Sequence, residues 1–217
     1  GRIMTPLAIE EAARRMLNAS SSSFWSREEI IENYLYFAAL EMALQARCIE
    51  NRYTTSSVAS QKEYAVPSRM ISVKRVEYNG AKLMPISFRK HDSINTSTST
   101  TVTGTPQYYY FFDDVLGLYP APSAASVTIK TYTYDEPSPT TASSTLEIPT
   151  QYHMYLVIGT AYYMSLKELG HPQTDRFRLQ WEAALKKVLH AERLKNKDAL
   201  YQVMREEDLP STLLGAI

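Results

Sequence analysis

An α+β chain is expected from this sequence: a four-helix bundle-like domain built from both chain ends, a small inserted antiparallel β-sandwich or barrel, and an extended C-terminal tail. Three observations point to it. From Ile148 to Gly170 the chain has apolar residues on every helical face, with no charge between Glu147 and Lys167, so this helix is one to bury. Apolar residues recur at helical spacing near both termini. Between them lies a stretch rich in Thr, Tyr and Val and divided by turn signals. The expected boundaries are 1–52 for the first helix pair, 53–146 for the β domain, 147–197 for the second pair and 198–217 for the tail.

Thr5-Pro6 opens the first helix, with Thr5 as N-cap and Pro6 where its missing N–H costs nothing. The serines from Ser20 to Ser23 end it. Ser26 and Glu29 have capping-box spacing, and Ile30, Ile31, Tyr34, Leu35, Ala38, Met42 and Cys48 predict a second helix running towards Glu50. The pattern changes after Arg52. Tyr64-Ala65-Val66-Pro67 is extended, because the residue before proline avoids the helical region. Ile71 to Val73 and Val76 to Tyr78 alternate in opposite phase, which predicts a bulge near Lys74-Arg75. Asn79-Gly80 is a hairpin turn, Lys82 to Ile86 the return strand, and Ser93 to Thr103 a polar loop.

Tyr108 to Phe112 is a strand of five consecutive aromatics, expected to be covered on both faces. Asp113-Asp114 turns it into Val115 to Tyr119, which Pro120 and Pro122 stop, and Val127 to Tyr134 is the next strand. The Ile148–Gly170 helix begins at Pro149. Thr150, Gln151, His153, Thr160, Ser165 and its tyrosines make it too polar for a membrane span, so it is read as buried within a folded domain. After Gly170-His171-Pro172, a last helix buries Phe177, Trp181, Ala184, Leu185, Val188 and Leu189.

Composition narrows function. Lys plus Arg and Asp plus Glu both total 23, so the net charge is zero, which argues against a general nucleic-acid binder. Cys48 is alone, which excludes an internal disulfide and predicts a reducing compartment. The N-terminus lacks the order of residues of a signal peptide. The four histidines are scattered away from metal-site spacing, and only seven glycines leave no phosphate loop. No metal, cofactor or catalytic set is assigned. Asp113-Asp114 is read as a turn and Cys48 as a small core residue.

Two features point to assembly. Lys186, Lys187, Arg193, Lys195 and Lys197 form a basic run, followed by the acids Asp198, Glu206, Glu207 and Asp208. Adjacent blocks of opposite sign suit head-to-tail pairing between subunits, with register set by charge and affinity by apolar burial. The end, Leu209-Pro210-Ser211-Thr212-Leu213-Leu214-Gly215-Ala216-Ile217, is apolar and non-periodic, which suits a docking tail. A different reading makes the aromatic strand a binding platform for carbohydrate or a receptor.

The order of several segments resembles the head-to-tail connector, or adaptor, proteins of tailed bacteriophages. These are Tyr64-Ala65-Val66-Pro67, Arg75-Val76-Glu77-Tyr78-Asn79-Gly80, Thr103-Gly104-Thr105-Pro106-Gln107-Tyr108-Tyr109, Leu118-Tyr119-Pro120-Ala121-Pro122 and Ile148-Pro149-Thr150-Gln151-Tyr152-His153. The chain departs at Ser68-Arg69, where the family more often carries an acid. The resemblance implies a non-catalytic virion protein of the neck between capsid and tail: a dodecameric ring with the portal above, tail or neck proteins below, and viral DNA passing through its channel. It also implies that the tail reaches the portal through Leu209, Pro210, Leu213, Leu214 and Ile217.

Overall fold

The computed structural model describes residues 3–19, 24–94, 102–168 and 171–203. The chain is mixed α+β with antiparallel sheets and, among the described residues, five helices. It forms two compact units: Gly1–Cys48 with Pro137–Ile217, and Ile49–Glu136.

In the first unit, α1 is Pro6–Met16, and the Thr5 hydroxyl accepts from Ala8 N–H at 3.2 Å. Helix α2 (residues 27–46) runs through Arg27–Glu29, a π-helical stretch Ile30–Leu35, and Tyr36–Ala46. Ser26 caps it by accepting from Glu29 N–H at 3.1 Å. It stops sooner than its apolar spacing predicts: Arg47 turns left-handed at φ 52°, so Cys48 is buried beyond the helix end rather than on its stripe. The expected stop at Ser20–Ser23 lies outside the described residues, but α1 already ends at Met16.

In the second unit, β1 is Glu50–Ser56, β2 Glu63–Ala65, β3 Met70–Tyr78, β4 Ala81–Lys82 and β5 Met84–Pro85. Helix α3, Phe88–Ile94, follows. Then come β6 Thr103–Gly104, β7 Tyr108–Phe112, β8 Val115–Tyr119, β9 Ala121–Pro122 and β10 Thr128–Asp135. One sheet has the order β1-β10-β3-β4, the second β2-β8-β7-β5, and β6 pairs with β9. Strand β1 starts at Glu50, ahead of the expected change after Arg52.

The expected bulge is present. Tyr132 faces Arg75 and Thr133 faces Val73, so Lys74 is the extra residue. Asn79 and Gly80 both have positive φ, 50° and 80°, the geometry a tight hairpin demands. The return strand is not continuous from Lys82 to Ile86. It pairs with β3 only as β4, buries Leu83, and resumes as β5 in the other sheet, parallel to β7. Leu83 thereby joins Val76, Ile129, Tyr64, Leu116 and Leu118, a core drawn from both sheets. Helix α3 is too short for periodicity to reveal, and it takes the start of the expected polar loop. Residues 95–101 of that loop lie outside the described residues.

Back in the first unit, the central helix α4 is His153–Lys167, and α5 is Thr174–Val203. Pro149 precedes a 3-10 turn, Thr150–Tyr152, rather than opening α4 itself. The expected end at Gly170 lies outside the described residues. Helix α4 buries Leu156, Val157, Ala161 and Met164, each worth about 1–3 kcal/mol of transfer energy or less for the alanine. The expectation of cover on every face fails: Met154 is 63% exposed and Leu166 47%. Among the described residues, helices α1, α2 and α5 pack on α4, which leaves one side open.

Candidate functional site

Several polar groups inside the helical unit have defined partners, while the buried Thr160 hydroxyl of α4 has no hydrogen-bond partner among the described residues. His153 Nδ1 accepts from Met4 N–H at 3.1 Å, and Nε2 lies 2.8 Å from the Ile148 carbonyl, which sets a neutral ring with the proton on Nε2. Glu41 accepts from the Tyr163 hydroxyl at 2.8 Å and from Trp181 Nε1 at 2.6 Å. Burial, and then that carboxylate, push the Tyr163 hydroxyl pKa well up. Trp25 Nε1 donates to the Met164 carbonyl at 3.1 Å. The Lys167 ammonium, 2.7 Å from Glu29, and the Tyr34 hydroxyl hold the Glu29 carboxyl below its ordinary value. These bonds tie α4 to its neighbours, and their chemistry is structural.

Cys48 and Glu192 are both buried. Burial first, and the Glu192 charge second, push the Cys48 thiol up to about 12, which favours the protonated thiol at neutral pH. Tyr152 donates to Glu192 at 2.7 Å and is raised to about 12, chiefly by burial. Asp113-Asp114 is the two-residue turn between β7 and β8, with Asp113 at φ 51°. Among the described residues, no group of three or more His, Cys, Asp or Glu is placed to hold a metal.

The aromatic strand β7 does not form a platform. Tyr110 is 1% exposed and Tyr109 is buried, so their rings belong to the core. Phe112 is the exception to the expected cover at 55% exposed, stacking on Phe88 of α3 at 4.5 Å. His91 of α3 is buried, with its ring 4.3 Å from that of Tyr110.

The predicted charge blocks are partly described. Lys186, Lys187, Arg193 and Lys195 lie exposed on α5. Lys195 reaches Glu192 at 3.5 Å, so part of the basic run is answered on its own helix. Lys197 and Asp198 also lie on α5, which continues to Val203, past the expected start of the tail. Glu206, Glu207, Asp208, Leu209, Pro210, Leu213, Leu214 and Ile217 lie outside the described residues.

A groove of about 590 Å³, not foreseen from the sequence, runs along the open side of α4. Met154 and Ile158 of α4, Met16 of α1, and Gln180, Ala184 and Lys187 of α5 line it. Its lining is largely apolar, and among the described residues none of α2 contributes. The signal was present: a helix apolar all round needs a neighbour on each side. A smaller crevice, about 330 Å³, is lined by Tyr53 of β1, Tyr64 of β2, Leu116 and Thr131. Among the described residues, no helix is long and apolar enough to cross a membrane.

What the described surface offers is therefore apolar and charged contact area. No curated protein matches the chain. A family model described as SU10 adaptor protein matches residues 4–205, nearly the whole length. The chain belongs to this family of tailed-phage head-to-tail adaptors.

Proposed function

We propose that copies of this chain form a ring, a dodecamer matched to the portal, that docks below the portal of the filled capsid and continues the DNA channel towards the tail. Membership of the family makes the chain a structural head-to-tail adaptor of the virion neck, associated with portal and tail proteins. The match over residues 4–205 carries the proposal. The open apolar groove on α4 supports it, because a helix of that composition is suited to a further protein neighbour.

In this reading the helices from both chain ends act as one four-helix bundle-like body, and the inserted β unit as a small sandwich. Residues 198–217 serve assembly. Asp198, Glu206, Glu207 and Asp208 pair with the basic face of a neighbour's α5, at Lys186, Lys187, Arg193, Lys195 and Lys197. Single surface pairs are worth about 0–1 kcal/mol, so they set register. Leu209, Pro210, Leu213, Leu214 and Ile217 supply apolar contact to the portal. Zero net charge leaves the channel without a strong hold on passing DNA. The role is non-catalytic and uses no cofactor.

Electron microscopy of the chain mixed with the portal ring of its own virus tests this, beside a variant lacking Leu209 to Ile217. Stacked rings that are lost with the deletion are expected. A chain that stays monomeric with the portal overturns the proposal.

A further inference from the structure

The helical unit exposes a second apolar surface besides the groove. Phe37 and Leu44, seven residues apart on α2 and so on one face, are 43% and 48% exposed. We infer that these two surfaces form one contact: the Phe37–Leu44 ridge of one copy seats in the α4 groove of a second copy. The inference rests on the ring reading and names the surfaces that build the ring.

Three observations carry it. The surfaces lie on opposite sides of α4. The Phe37 ring is 5.9 Å from that of Tyr163, and Tyr163 is nine residues from the groove residue Met154, about 180° around the helix at roughly 100° per residue. A head-to-tail contact needs two such different surfaces, and when the rotation closes it makes a ring. The charges are also opposite. Helix α2 exposes Glu28 and Glu32 against Arg27, its Glu29 and Glu41 being bonded to α4 and α5 of the same copy, whereas residues 174–195 of α5 carry six Lys or Arg against three acids. Lys187 lines the groove itself. Finally, a symmetric groove-to-groove contact would bring Lys187 towards its own copy, at a repulsive cost, and leave Phe37 and Leu44 uncovered.

The test uses two full-length variants, Met154→Cys in the groove and Phe37→Cys on the ridge. Both positions are exposed, so folding tolerates the change, and the native Cys48 is 3% exposed and out of reach. Each is oxidised alone and as an equal mixture, at high protein concentration and with the portal ring. The mixture is expected to give about ten-fold more disulfide-linked dimer than either variant alone. No excess in the mixture, or dimers from Met154→Cys alone, overturns the pairing. Microscopy of the unaltered chain with the portal separates the failures: rings without the trapped pair sink only this contact, while no rings sink the ring reading as well.

Discussion

The ring of Tyr110 lies over Gly117, its cross-strand partner in the β7–β8 hairpin, in the space a Cβ would occupy. The ring is backbone-tight against β8, and its hydroxyl reaches Glu63 at 3.2 Å. Gly117→Ala is therefore expected to displace the ring and destabilise the β unit by about 1–3 kcal/mol or more. Urea denaturation followed by tyrosine fluorescence measures it; an unchanged midpoint would show that the ring moves aside at no cost.

Glu41 accepts two hydrogen bonds, from Tyr163 and Trp181, and so links α2 to α4 and α5. Glu41→Ala strands both donors, at about 1–3 kcal/mol for each if water does not reach them. The double variant Glu41→Ala with Trp181→Phe should recover part of the loss expected from adding the two single variants. A double-mutant cycle by thermal denaturation reads this coupling, and strict additivity argues against a shared carboxylate.

Cys48 and Tyr152 stay protonated in the fold to about pH 12, whereas Cys48 has an ordinary value of 9.0 and Tyr152 of 10.0. Between those values the unfolded chain releases protons that the folded chain keeps. Their contribution to stability is therefore whole below about pH 9 and falls as pH rises towards 12. Melting temperatures across this range should decline, and Cys48→Ser and Tyr152→Phe should flatten the decline. At neutral pH a maleimide should label Cys48 only after denaturation; fast native labelling would contradict its burial.

The N-caps Thr5 and Ser26 each satisfy a backbone N–H in a first helical turn. Thr5→Ala and Ser26→Ala are each expected to cost about 0.5–2 kcal/mol. The residues flanking Ser26, Trp25 and Arg27, carry no side-chain acceptor to replace its hydroxyl. Circular dichroism melts of both variants should therefore shift down, and unchanged melts would show frayed helix ends.

How much was legible depended on the range of the cause. The caps, the Asn79-Gly80 turn and the Lys74 bulge rest on neighbours in the chain, so residue chemistry revealed them. The end of α2 did not follow its apolar spacing. Cys48 and Ile49 continue to supply buried side chains after Arg47 has turned out of the helix, and burial pattern alone does not distinguish the two cases. The broken return strand was hidden for a similar reason: Leu83 is apolar either way, and only the second sheet decides that it anchors a crossing between sheets.

The groove shows the division most clearly. That α4 is apolar on all faces can be read from the chain alone, because side-chain chemistry and a period of about 3.6 residues are local properties. Which of those faces lacks a neighbour is settled by packing. Among the described residues, three helices cover α4, and Met154 is left exposed with Ile158 half-buried beside it, because the number and spacing of packed neighbours depend on long-range contacts that no local pattern encodes.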